Sequence, residues 1–233
     1  FVERVGMSRA PVFQLGSGGE ARGFVDWLKK NQNQIKEICE STSSHLALRN
    51  YQTWIRGRLV FVRFVFDTDQ AMGMNMVTIA LKTVWEKLIN SYPNIRLRSL
   101  SGNVCTDKKE SAINRLLGRG FKVQAEVFLN KNIVSKTLKT SGEKLLQTHY
   151  SKNLVGSSIA GSSSPNMQLA NVAASLFLAT GQDVAHVVEA AQGATTIEQE
   201  GQGVYAAVNL PNLNVGVVGG GTGLTAFKQA QEL

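Results

Sequence analysis

Three polar segments marked by glycine carry the residue types that could do chemistry. In SGNVCTDKK (101–109) a carboxylate, Asp107, stands beside two ammonium groups, Lys108 and Lys109. A buried lysine can polarise a carbonyl oxygen as negative charge develops on it, and a neighbouring aspartate holds it charged and aimed. A solvated turn has the same composition, since exposed charges are the rule. In DTDQAMGMN (67–75) a strand ends and a helix is predicted to begin near Asp69. Gly73 in a first helical turn costs about 1 kcal/mol against alanine, so the site calls for close approach by a ligand or another helix. A helix N-terminus also suits a phosphate, while Met72, Met74 and Met76 could equally fill core. In VVGGGTGL (217–224) three successive glycines could cradle an anion with backbone N–H groups, or could make a plain tight turn. This is not the G-x-G-x-x-G of a dinucleotide-binding βαβ unit.

No nucleophile–base constellation stands out. His45, His149 and His186 are far apart, and each reads as structural or exposed. Two cysteines, Cys39 and Cys105, do not make a disulfide scaffold, and with three scattered histidines they predict no metal site.

The elements that must position these segments follow from composition and periodicity. The chain has 233 residues, 43% hydrophobic and 18% charged, which fits one or two globular domains and excludes a disordered polyampholyte. The net charge of +8 favours an anionic partner. The basic pairs are scattered, as at Lys29-Lys30, Arg96-Arg98 and Arg115-Arg119, so no nucleic acid is expected. A small phosphorylated ligand and a simple solvated surface both fit. The longest uncharged stretch, 153–182, is broken by Gly, Ser, Pro and Asn, which predicts no membrane span. FVERVGMSR lacks the apolar centre of a signal peptide, so a soluble, cytoplasmic region is expected.

Along residues 11–100 the pattern predicts strand (11–15), helix (20–40, broken at 31–33), strands (46–54 and 58–67), helix (70–89) and strand (95–100). That is the order of the split βαβ, ferredoxin-like unit. RLVFVRFVFD (58–67) reads as its central strand with one covered face. Beyond residue 100 the sequence predicts a helix at 110–118, a strand at 121–129, one or two helices at 131–150, a long apolar helix over 167–190, and two strands within 203–217. The fold class expected is α+β.

Six ordered stretches together resemble the 3-hydroxy-3-methylglutaryl-coenzyme A reductase family, in its eukaryotic and archaeal class. They are GMSRAPV (6–12), QAMGMNM (70–76), SGNVCTDKK (101–109), SKNLVGSSIAGS (151–162), ATGQD (179–183) and VGVVGGGTGL (215–224), and they span nearly the whole chain. The resemblance implies a large mixed α/β domain for the coenzyme A thioester, formed by residues 1–10 and 98–233. It implies an inserted ferredoxin-like domain for NADPH at residues 11–97. It further implies a homodimer, or a dimer of dimers, with shared active sites.

By position, Lys108 matches the catalytic lysine that stabilises the thioester and aldehyde oxygen. Asp183 matches the aspartate bonded to that centre. Arg9, Ser101, Lys109, Lys152 and Asn171 match residues that contact the hydroxymethylglutaryl group or support the site. Gln70, Ala71, Met72, Gly73, Met74 and Asn75, with Gly219, Gly220, Gly221 and Thr222, match the cofactor-binding segments. Three positions depart from the family: Gln70 stands for an aspartate, Glu110 for a proline, and Gln168 for a histidine. The chain begins after the family's E-N-V-I-G motif, which supplies a catalytic glutamate, and stops before the tail histidine that protonates the leaving thiolate. Two readings stay open on the sequence. One is a reductase that converts the thioester to mevalonate and free coenzyme A. The other is a catalytically degenerate paralogue acting as a ligand-binding or partner-binding subunit.

Overall fold

The computed structural model describes residues 1–232. Its first hundred residues form β1 (Val2–Arg9), β2 (Val12–Gln14), α1 (Gly18–Lys30), α2 (Gln32–Glu40), β3 (Ala47–Arg56), β4 (Leu59–Asp67), α3 (Met74–Lys87) and β5 (Arg96–Ser99). The Ser17 hydroxyl accepts from the backbone N–H of Glu20 and so caps α1. Asn31 closes α1 through its side chain, which donates to the Trp27 carbonyl at 2.8 Å, and α2 follows at once. The helix break expected at 31–33 falls there.

β4 is flanked by β2 on one side and β3 on the other, and β5 pairs with β2, all antiparallel. The order β5-β2-β4-β3 is that of the split βαβ unit. Val60, Val62, Phe64 and Phe66 of β4 share one buried cluster with Phe24 and Leu28 of α1, Ile35 of α2 and Val77 and Val84 of α3. One expectation is corrected here: β4 is buried on both faces. Arg63 points away from the helices and is itself buried, donating to the Gly118 carbonyl at 3.0 Å and to Asn114 Oδ1 at 3.4 Å. The second half of the chain covers that face.

The second half comprises α4 (Ala112–Leu117), β6 (Gly120–Leu129), α5 (Gly142–Thr148), α6 (Ser157–Ile159), α7 (Leu169–Thr180), α8 (Val187–Ala190), β7 (Ala194–Glu200), β8 (Gly203–Leu213) and α9 (Thr225–Gln231). Wide π-type turns occupy Ile133–Thr137 and His149–Gly156. β1, which the sequence pattern did not predict, pairs with β4 on one edge and β6 on the other. It therefore joins both halves into one eight-stranded sheet, β5-β2-β4-β1-β6-β8-β7, with β3 also on β4.

Two further expectations are corrected. The apolar run 167–190 is not one helix, because Gly181 turns left-handed and caps α7 at Thr180, after which Gln182 bonds Gly216. The two strands expected in 203–217 are one strand, β8, whose register shifts opposite Phe121–Val123 and so accommodates Pro211. Its second partner, β7, lies before it and is a polar edge strand with only Ile197 buried. Among the described residues no helix is long and apolar enough to cross a membrane.

Candidate active site

The start of α3, the 101–110 loop, the stretch from Phe177 to His186 and the glycine run 216–222 enclose a cavity of about 830 Å³. Two of the glycine-marked segments are stitched together by backbone. The Gln70 carbonyl accepts from the N–H groups of Val217 at 2.8 Å and Val218 at 3.3 Å, and Ala71 bridges Val218 in parallel. A Cβ on Gly216 would stand 2.3 Å from the Met72 nitrogen, so only glycine permits this approach. Gln182 clamps the same residue from the other side: its amide donates to the Gly216 carbonyl at 2.9 Å and its oxygen accepts the Gly216 N–H at 3.0 Å.

The helix expected near Asp69 starts instead at Met74. Residues 68–73 form a turn in which Thr68 Oγ1 donates to the Ala71 carbonyl at 2.8 Å. Gly73 closes it at φ +84°, where a Cβ would lie 2.4 Å from the Thr68 methyl. The close approach inferred from Gly73 is thus made by Thr68. The first N–H groups of α3 open toward the cavity beside Met72 to Met76.

Lys108 is placed by its backbone. It sits at φ +59°, in a loop where Asn103 and Thr106 are also left-handed. Its N–H donates to Glu189 Oε1 at 2.6 Å. Its ammonium then reaches Asp183 Oδ2 at 2.7 Å. Beside it, Asp107 is paired with Arg9 at 3.2 Å and with Arg119 at 3.2 Å. Beneath lies a buried layer. The Arg119 guanidinium spans both Glu189 oxygens at 2.8 and 3.0 Å, and Asn114 Nδ2 donates to Oε2 at 3.3 Å. His186 Nδ1 lies 2.9 Å from Glu189 Oε1.

Partial burial alone would push Asp183 up. Hydrogen bonds from Lys108 and the Ala185 N–H, with the charges of His186 and Lys108, outweigh it and hold the carboxyl below its ordinary value. Glu189 shows the same balance. Burial raises it, and the His186 hydrogen bond, the Arg119 charge and the Lys108 N–H bring it net downward. Donor atoms of Asp107, His186 and Glu189 lie within 4.8 Å of one another, but Arg119 already supplies the cation to both carboxylates. The cluster is built as an ion-pair network.

Of the residues singled out in the sequence, Arg9, Asp107, Lys108, Asp183, Ala71 to Asn75 and Gly219 to Thr222 line one cavity. Gln70 contributes its main chain and lines a neighbouring hollow instead. Ser101 lies at the base of the loop with its hydroxyl 3.6 Å from Cys105 Sγ. Lys109 is exposed, with Nζ 3.4 Å from the Asp107 carbonyl. Lys152, Asn171 and Gln168 are exposed and do not line the cavity. Glu110 accepts from the Ser163 hydroxyl at 3.4 Å. Arg119, Glu189 and His186 were missed by sequence reasoning. The D-x-x-H-x-x-E spacing of Asp183, His186 and Glu189 was the available signal, since such residues fall on one face of a helical turn.

Comparisons with known proteins agree on one family. The family model for hydroxymethylglutaryl-coenzyme A reductase matches residues 1–233. The 3-hydroxy-3-methylglutaryl-coenzyme A reductase of Haloferax volcanii is 43% identical over 232 residues, covering 100% of this chain and 57% of the relative. Reductase 2 of Dictyostelium discoideum is 42% identical over 233 residues, 98% of this chain and 44% of its own length. The chain thus spans about half the length of these curated relatives. A class II reductase of Streptococcus pneumoniae, described as bound to NADPH in open conformations, has the same fold, with a TM-score of 0.63 at 16% identity over 99% of this chain and 57% of that one.

Proposed function

The chain belongs to the hydroxymethylglutaryl-coenzyme A reductase family, and we propose that it carries the reducing centre of such an enzyme, acting on the thioester hydroxymethylglutaryl-coenzyme A with NADPH to yield mevalonate and free coenzyme A. The observation that carries this reading is the Lys108–Asp183 pair at 2.7 Å on the wall of the cavity. An ammonium held there can stabilise the oxygen of the thioester, and then of the aldehyde, as negative charge develops on it. Asp183 keeps that ammonium charged and fixes its direction. Arg9, tied to Asp107, offers a second cation for the acid end of the substrate. Ser101, Lys109, Lys152 and Asn171 are proposed substrate contacts on family resemblance alone.

The residues present fit a dinucleotide phosphate. The free N–H groups at the start of α3, the adjacent Asn75, and the backbone of Gly219 to Gly221 make a cradle in which side chains at Gly219 and Gly220 would meet open space. When bound, the nicotinamide supplies hydride. Replacement of aspartate by Gln70 leaves the cradle's stitching intact, because position 70 acts through its carbonyl. The division into a cofactor domain at 11–97 and a thioester domain at 1–10 and 98–233 follows from the same reading. A homodimer or dimer of dimers is supported by the apolar side chains left open on α7 and beyond, among them Val172 and Val188.

Steady-state oxidation of NADPH dependent on the thioester tests this function. Lys108→Ala is expected to lower it about 100- to 1000-fold. Binding of both ligands with no turnover in the unaltered protein would replace this reading with that of a ligand-binding paralogue.

A further inference from the structure

One buried polar group on the cavity wall has no part in that chemistry. His186 is fully buried, and its Nε2 has no hydrogen-bond partner, yet the residue lines the cavity. The carboxylate oxygens of Asp107 and Asp183 face that nitrogen at 3.7 and 3.8 Å. Its other nitrogen is anchored. Glu189 accepts at 2.9 Å from Nδ1, and this shorter, charge-assisted contact outweighs that of the Asn214 amide at 3.3 Å and fixes a proton on Nδ1.

We propose that His186 is a positioning residue for Lys108. Through Nδ1 it locks Glu189, which holds the Lys108 backbone N–H. Through Nε2 it faces Asp107 and Asp183 and keeps the Asp183 carboxylate in the place and charge state that aim the Lys108 ammonium. The inference rests on the proposed role of the Lys108–Asp183 pair.

The charged groups around the imidazole come from four elements. The 101–110 loop supplies Asp107 and Lys108, and the segment 183–189 supplies Asp183 and Glu189. Arg119, at the start of β6, faces Glu189 and Asp107, and Arg9 of β1 reaches Asp107. Three carboxylates are thus matched by three side-chain cations before the imidazole is counted. A second proton on the ring adds one positive charge at the cavity wall, where a developing oxyanion would need it.

Two substitutions separate the two contacts. The Asn amide nitrogen overlays Nδ1 of histidine, so His186→Asn keeps the bond to Glu189 and removes the group facing the carboxylates. The Gln amide nitrogen overlays Nε2, so His186→Gln does the reverse. The charge of His186 is among the causes that hold the Asp183 carboxyl below its ordinary value, and both variants remove it. In ¹³C carboxyl titrations of the whole chain, the Asp183 midpoint is expected to rise by about one pH unit in both variants. The Lys108 amide signal should stay in place in His186→Asn and move only in His186→Gln. In turnover, kcat should fall about tenfold in His186→Asn, the equivalent of one unit of lost charge interaction, with KM within twofold.

An Asp183 midpoint unchanged in both variants, with only thermal stability lowered, would overturn the inference in favour of a packing role. If His186→Asn does not fold, His186→Gln alone decides the midpoint. Lys108→Ala assayed alongside keeps the two ideas apart. Retained turnover there sinks the reductase reading. Lost turnover there, with wild-type Asp183 midpoint and kcat in both His186 variants, sinks only the role of His186.

Discussion

The two halves of the sheet are held together by different forces. On the β2–β5 side, one continuous apolar cluster runs from Phe13 and Phe24 through Val62, Phe64 and Phe66 to Val84, with aromatic contacts such as Phe13–Phe24 at 5.3 Å. On the β6–β8 side the apolar clusters are small. One centres on Val134, Ile197 and Val204, and another on Ala173, Phe177 and Ala190. The largest fully buried side chains there are Arg119, Phe177 and His186. The same half leaves Ile159 84% exposed and Leu178 61% exposed. The first half closes its helix-covered face by itself and leaves only the Arg63 face of β4 to the second half. The second relies on a polar network where the halves meet, and presents apolar side chains on its surface. The cavity lies at that junction, where charges can be held at fixed distances without being sealed from solvent.

This contrast can be broken at several points. The largest stability loss is expected for Phe64→Ala in the apolar half, about 3–5 kcal/mol by urea denaturation, because the vacated volume lies inside a closed core. Glu189→Ala should cost a similar ~3–5 kcal/mol, since it removes the fully buried carboxylate from Arg119 and leaves that charge only the part-exposed Asp107. Glu189→Gln should cost less, by keeping an acceptor for the Lys108 N–H. If Glu189→Ala proves nearly neutral, the second half is not held by this network.

A smaller effect is expected from pH. At the end of β4 Asp67 accepts from Arg4 and Arg49, both at 2.7 Å. Partial burial alone would raise this carboxyl, but those bonds and the Asp69 N–H bring it down to about 2. Its folded value lies below its unfolded one, so its contribution is present above about pH 4 and is lost as pH falls through about 2. After discounting for solvent screening we expect about 1 kcal/mol, read as the difference between wild type and Asp67→Asn across an acid titration. The smallest effect is expected for Val172→Ser on the open face, under about 0.5 kcal/mol in dilute protein. A loss several times larger that grows with protein concentration would show that a second copy covers this face.

Legibility followed local signal. The helices and strands of residues 11–100 were readable because each carries a clean period and a cap or turn of its own, as with Ser17, Asn31 and Gly57. β1 was not, because VERVGMSR mixes charges with Gly6 and its register slips between Arg4 and Gly6. β7 was hidden by its polarity, and α3 began late because the Thr68–Gly73 turn takes up residues that suit a helix equally well. Asp107, Lys108 and Asp183 were legible as residue types within motifs. Arg119, Glu189 and His186 were not, because their meaning lies in whom they meet.

By itself the sequence determined the α+β class, the split βαβ order, the glycine segments and the loop that carries Lys108. These are local properties, set by periodicity, turn chemistry and residue type within a few positions. Only the tertiary structure decided that Gln70 and Val217 share backbone hydrogen bonds, that β1 welds the two halves into one sheet, and that Glu189 holds the Lys108 backbone while Asp183 holds its ammonium. Those pairings join residues about 55 to 150 positions apart, and no local preference encodes them. They form because burying one sheet between helices and loops leaves each desolvated charge only the partner that the packing brings within reach.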